Sequence, residues 1–306
     1  MRLAIAVLVL TLASLNVLGQ ATPTLSIRTE VPGLPSELYY GNVKIKPLRL
    51  RPGTNIPITI NDADFFVNQQ YVDFFSRFPD QSGFDFWVNQ ITGCAGNAAC
   101  IDGQRANTSG AFFLSIEFQE TGYLVYRVHK TTFGTLPLYN PFMSNARAVG
   151  KDVVVGPGPW QATLEANKIA FLNAWVASPE FTAPTAYPLS MSNQAYVDKL
   201  IATAGVTSGE VNGATLVSGL NGGTETRATV LSKIAESSAV NIKEKNPAFV
   251  LMQYFGYLRR NPTDAPDNNL DGYNFWLGKL NNHGGDFHAA EMVRSFLVAG
   301  EYLNRF

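Results

Sequence analysis

The run Asp267-Asn268-Asn269-Leu270-Asp271-Gly272 gathers oxygen-bearing side chains in a short stretch of the 306-residue chain. Asp267, Asn269 and Asp271 take the first, third and fifth places of a loop whose sixth residue is glycine, as in the first half of a calcium loop. Asp264 adds a fourth oxygen side chain nearby. The twelfth place, which a bidentate Glu normally fills, is Gly278, so a solvated Asp/Asn turn is the competing reading. The three histidines offer less. His283 and His288 stand five apart, not the four that set two imidazoles on one helix face for zinc, and His129 is far from both in sequence. The chain has no Gly-x-Ser-x-Gly elbow, no phosphate loop and no dinucleotide fingerprint. The expectation is therefore no cofactor, with calcium as the one alternative.

The first residues set the chemistry of the cysteines. Arg2 precedes an apolar run from Leu3 to Leu18, and small Gly19 stands before Gln20. This is the pattern of a secretory signal peptide over residues 1–19, too short and too polar at its end for a membrane span. No later stretch reaches the length of a span, so no integral insertion is expected after signal cleavage. In an oxidising compartment Cys94 and Cys100, with five residues between them, are expected to form a disulfide. The loop it closes is small, so chain entropy gives it only roughly 2–2.5 kcal/mol. A thiol-only metal site and a Cys-x-x-Cys redox motif fit the spacing less well.

The bulk numbers exclude some partners. Hydrophobic residues make up 46% and charged residues 15%, enough to bury a core. A formal charge of −1 gives no field to draw the chain onto nucleic acid or an anionic surface.

The elements that must position these residues change character along the chain. Residues 20–61 read as an extended N-terminal arm, because Val43 to Arg51 alternates apolar and basic residues around Pro47. From Asp62 the period is helical. Phe65, Phe66, Tyr71, Val72, Phe74 and Phe75 recur at spacings of three and four. Ser82 with Asp85 three residues on predicts a second helix start. Further helices are predicted over 98–107, 109–130, 159–177, 193–204, 209–218 and 226–241, with another starting at Asn246-Pro247. Residues 132–158, 182–192 and 219–225 read as loops.

The helical part contains a motif twice. Phe66-Val67, Gln70-Tyr71, Phe74, Arg77 and Pro79 match Phe249-Val250, Gln253-Tyr254, Tyr257, Arg260 and Pro262 in register. Each run continues with Gly-x-x-Phe-Trp, first at Gly83, Phe86 and Trp87, then at Gly272, Phe275 and Trp276. Each closes with an aromatic, four residues and Glu-aromatic: Phe112 with Glu117-Phe118, and Phe296 with Glu301-Tyr302. The aromatics at helical spacing read as core. Arg77 and Arg260 are expected to cap turn carbonyls or pair with Glu117 and Glu301. The layout is a first helical unit over 62–150, a degenerate middle unit over 151–245 and a C-terminal unit over 246–306. The fold class is mainly α, with tandem helical repeat units behind the arm.

Tyr71, Arg77-Phe78-Pro79-Asp80 and Gly83-Phe84-Asp85-Phe86-Trp87 resemble the unit of the bacterial family known as domain of unknown function 4214. The block from Phe112 to Tyr123 resembles its exported acidobacterial members, and in that subgroup the likeness extends over most of 62–306, including Cys94 and Cys100. The longer loop between Pro262 and Gly272 departs from the pattern. The family occurs in exported and surface proteins, sometimes beside calcium-binding repeats, and its unit is similar to the helical domain of phycobilisome linkers. The resemblance implies an assembly or binding role and brings no catalytic residues. The expectation is a non-enzymatic module, secreted, periplasmic or on the cell surface of a bacterium, that binds an envelope protein or polysaccharide. The alternatives are an extracellular enzyme acting on polysaccharide and a calcium-stabilised spacer.

Overall fold

Helices begin where Ser, Thr, Asp or Asn can accept from a free backbone N–H, and they end at residues able to take positive φ. The computed structural model describes residues 25–28, 37–44, 51, 53–156 and 158–306. The signal peptide over 1–19 lies outside the described residues. So do Lys46 and Arg49 of the alternating segment.

Residues Met1–Pro47 and Leu48–Phe306 are two separate compact units. In the first, the described part of the arm is an antiparallel sheet of β1 (Leu25–Arg28), β2 (Glu37–Tyr40) and β3 (Val43–Lys44), in that order. Tyr40 pairs with Val43 across a two-residue turn in which Gly41 has φ +60°, as a hairpin turn with glycine first requires. Of the alternating segment Val43 to Arg51, the first two residues form β3.

The second unit is mainly helical. The first motif copy lies on α1 (Ala63–Phe75), α2 (Gln81–Thr92), α3 (Ala98–Leu114) and α4 (Ile116–Glu120). Next come α5 (Gly122–Phe133), α6 (Tyr139–Gly150), α7 (Trp160–Ala177), α8 (Asn193–Ala204), α9 (Ser208–Val211), α10 (Gly213–Gly222) and α11 (Arg227–Ala235). The second copy occupies α12 (Ser238–Gln253), a π-helical turn over Tyr254–Leu258, α13 (Asp271–Asn282), α14 (Met292–Leu297) and α15 (Gly300–Leu303). Helix α5 lies at the centre, packed on α6, α8, α11 and α12. Its Tyr123, Leu124, Tyr126 and Val128 are all fully buried.

Several predicted boundaries move, each for a local reason. The helix expected over 109–130 breaks at Ser115, whose extended backbone ends α3 while its hydroxyl accepts from the Phe118 N–H to start α4. Helix α2 starts two residues earlier than predicted, because the Asp80 carboxylate and not Ser82 caps it by accepting from the Gly83 N–H. No helix begins at Asn246-Pro247. Ser237 caps α12 by accepting from the Val240 N–H, and Pro247 lies inside that helix at the cost of one hydrogen bond. The predicted loop over 132–158 contains α6. Pro141 sits in its first turn, where a missing N–H leaves no intrahelical bond unmade. Predicted helix 209–218 is split into α9 and α10 at Asn212, which has φ 50°.

Candidate functional site

The two motif copies build the same local structure. Helix α1 ends at Ser76 and the π turn ends at Arg259, each in the left-handed region with φ 55° and 52°. That reversal turns the next residue, Arg77 or Arg260, back along its own helix. Arg77 then donates to Glu117 through Nε at 2.8 Å and Nη2 at 2.7 Å, and through Nη1 to the Phe78 carbonyl. Arg260 donates to Glu301 through Nε at 2.6 Å and Nη2 at 3.1 Å, and through Nη1 to the Asn261 carbonyl. Each guanidinium also covers the motif tyrosine, Arg77 5.0 Å from the Tyr71 ring and Arg260 5.4 Å from that of Tyr254. Both alternatives expected for these arginines are thus present at once.

The electrostatics repeat as well. Burial, reinforced by Asp80, pushes the Tyr71 hydroxyl up to about 12, and burial with Asp267 does the same to Tyr254. Burial opposes the Arg77 charge, but hydrogen bonding and charge from Glu117 outweigh it and hold Arg77 above its ordinary value. The Gly83 N–H and the Ser82 hydroxyl hold Asp80 below the usual carboxylate range.

The glycines let the second helix close on the first. A Cβ at Gly83 would overlap the Tyr71 hydroxyl, and one at Gly272 would overlap that of Tyr254. Alanine raises intrinsic helix propensity by about 1 kcal/mol over glycine, yet overpacking costs about 1–3 kcal/mol. Gly83→Ala is therefore expected to destabilise the protein, and adding Tyr71→Phe to restore it to the stability of Tyr71→Phe alone or above. Urea midpoints of the four proteins check this. No rescue by Tyr71→Phe would mean that another contact demands the glycine.

Asp267 is the counterpart of Asp80. Its carboxylate lies against Gly272 and accepts from Arg260 Nη2 at 2.8 Å. Asn269 and Asp271 hydrogen-bond to each other, Nδ2 to Oδ2 at 3.0 Å and Asp271 N–H to Asn269 Oδ1 at 2.8 Å. Among the described residues no group of three or more His, Cys, Asp or Glu is placed to hold a metal ion. Cys94 and Cys100 form the expected disulfide, with Cα atoms 5.6 Å apart, between α2 and α3. His288 Nε2 donates to Asn107 Oδ1, 2.7 Å away.

One reading of the motif is corrected. The phenylalanine of its Gly-x-x-Phe-Trp run is not core. Phe86 is 54% exposed and Phe275 57% exposed, each edge-to-face with the following tryptophan at 4.8 and 5.0 Å. Trp87 and Trp276 are partly buried and pack on Phe112 and Phe296, at 6.1 and 5.8 Å. Each tryptophan thus anchors the shelf on which its phenylalanine stands out. Exposed Ser82, Asp85, Asn89 and Gln90 surround Phe86, and exposed Asp271 and Asn274 flank Phe275. Lys279 lies one turn on, over the Phe275 and Trp276 rings. The sequence held a signal for this: Phe and Trp are adjacent on a helix, so the two cannot share one face.

No helix among the described residues is long and apolar enough to cross a membrane. No protein-family model matches the chain, and no match is found among curated proteins or solved structures.

Proposed function

We propose that the protein is a non-enzymatic, exported binding module, related to the family its motif resembles, and that the Phe86–Trp87 and Phe275–Trp276 shelves hold a polysaccharide of the bacterial envelope. The observation that carries this reading is the exposure of the same phenylalanine in both copies, where the rest of the motif is tied into packing, turns and ion pairs. A large exposed apolar side chain costs solubility and adds little stability, so its repetition favours a contact outside the chain. Aromatic rings bordered by Asn, Gln, Ser and Asp suit a sugar, whose C–H face stacks on a ring while its hydroxyls meet the polar rim. The disulfide suits an oxidising compartment.

Phe86→Ala and Phe275→Ala are expected to leave the melting temperature within a few degrees of the parent, because an exposed substitution costs about 0.5 kcal/mol and an aromatic pair about 0.5–1.5 kcal/mol. Together they are expected to abolish co-sedimentation with insoluble envelope polysaccharide. Retention by protein-stripped polysaccharide supports this reading; retention only by envelopes that keep their proteins would move the partner to a protein.

A further inference from the structure

The loop that departs from the motif pattern lines a cavity. It is six residues longer between Pro262 and Gly272 than its counterpart between Pro79 and Gly83. Pro262, Thr263 and Leu270 of this loop form one wall of a cavity of about 560 Å³, which is within the range of small-molecule sites. Leu136, Pro137 and Leu138, which lead into α6, also line it. Tyr273 and Leu277, one turn apart on α13, line it as well.

One polar group in this lining stands out. Glu244, on α12, is 6% exposed and borders the cavity. Its Oε2 accepts from the Tyr126 hydroxyl at 3.0 Å. Burial raises Tyr126 well above its ordinary value, so this hydroxyl keeps its proton and remains the donor. Among the described residues no donor meets the other oxygen, Oε1. Oε1 is not sealed away from solvent, so the further hydrogen bond it accepts comes from water or from a ligand in the cavity. The tyrosine nearest on α13 does not supply it, since the Tyr273 hydroxyl donates to the Pro247 carbonyl at 3.0 Å. The lysines do not either. Lys130 Nζ donates to the Gly134 carbonyl at 2.8 Å, and Lys243 Nζ to the carbonyls of Ala204 and Gly205 at 2.6 and 3.1 Å.

We infer that this cavity is a binding site for a small, largely apolar, uncharged molecule bearing one hydroxyl or N–H, which donates to Glu244 Oε1. The apolar walls select the body of the ligand and the carboxylate selects its head. A cationic ligand would meet Lys130 and Lys243 at the same wall, and an anionic one would meet Glu244, so the charge balance favours a neutral donor. The site is independent of the Phe-Trp shelves: Phe86 and Phe275 do not line it.

The test uses the full unit with three probes: 4-propylphenol, propylbenzene without the hydroxyl, and propiophenone, which only accepts. Binding is followed by calorimetry or by ligand-observed NMR. The wild type is expected to bind 4-propylphenol at least tenfold more tightly than propylbenzene, since a hydrogen bond to a charged group is worth about that factor. Glu244→Gln keeps the shape of the side chain but turns an amide N–H₂ to the cavity once its oxygen accepts from Tyr126. It is expected to lose the preference for 4-propylphenol and to gain one for propiophenone. Leu270→Trp, on the partly exposed loop, fills the cavity and is expected to stop all three from binding while the melting temperature holds. No binding of 4-propylphenol to the wild type overturns the inference. So does equal affinity for propylbenzene, and so does binding that survives Leu270→Trp.

Discussion

Asp73→Ala is expected to lower the unfolding free energy by about 3–5 kcal/mol, the range found when one partner of a buried ion pair is removed. The Asp73 carboxylate is fully buried on α1. Arg305 donates to both its oxygens, Nη2 to Oδ1 at 2.7 Å and Nη1 to Oδ2 at 3.2 Å. Arg259 Nη2 at 3.2 Å and Gln69 Nε2 at 2.8 Å complete its shell. Arg305 also donates to the carbonyls of Gly256 and Tyr257, so the same guanidinium satisfies the π turn. Without Asp73 two cations face one another beside a buried surface. Asp64→Ala is the control: that carboxylate is partly exposed, paired with Arg51, and worth about 0–1 kcal/mol. Urea midpoints should separate the two variants clearly. Similar midpoints would mean that the arginines find other acceptors.

Lowering the pH from 7 to 4 is expected to remove roughly 3 kcal/mol through His129 alone. The imidazole lies between Phe133 and Trp175, with ring centroids 5.2 and 6.0 Å away. Burial, with help from the Lys130 charge, pushes it down to about 4. The unfolded chain takes up a proton near the ordinary value of 6.5 while the folded chain does not. The folded state therefore loses stability as pH falls through 6.5, and the loss levels off below about 4. Asp62 and Asp80 sit below their ordinary range, so their contribution fades only at lower pH, outside this window. His129→Leu is expected to flatten the stability profile between pH 6.5 and 4 by that amount. Parallel profiles for the two proteins would place the histidine in contact with water.

The motif was legible in the sequence because both copies carry the residues that touch one another. Arg77 with Glu117, and Arg260 with Glu301, could be paired from spacing and charge, and the disulfide from compartment and spacing. The Asp73 shell could not. Its arginines lie 186 and 232 positions away, and nothing local distinguishes Asp73 from a solvated helix acid. Pro247 reads as a helix start because the local rule is sound, yet the cap at Ser237 and the packing of α12 on α5 and α13 hold a longer helix around it. Asp267 has the residue type of a calcium ligand, but its carboxylate accepts from the same arginine whose counterpart lies near Asp80. Type and spacing alone do not separate a ligand from a counter-ion. The adjacency of Phe and Trp told that one of each pair leaves the core, but not which one. Helical spacing tells which residues share a face, and only the packed neighbours tell which face is buried.

Binding to envelope polysaccharide through the two shelves is the central claim. It is tested most directly by co-sedimenting the wild type, Phe86→Ala, Phe275→Ala and the double variant with protein-stripped envelope polysaccharide, after circular dichroism shows all four folded. The account predicts that the wild type pellets, that each single variant binds less, and that the double variant stays in the supernatant. A double variant that pellets like the wild type, or a wild type that never pellets, would contradict it.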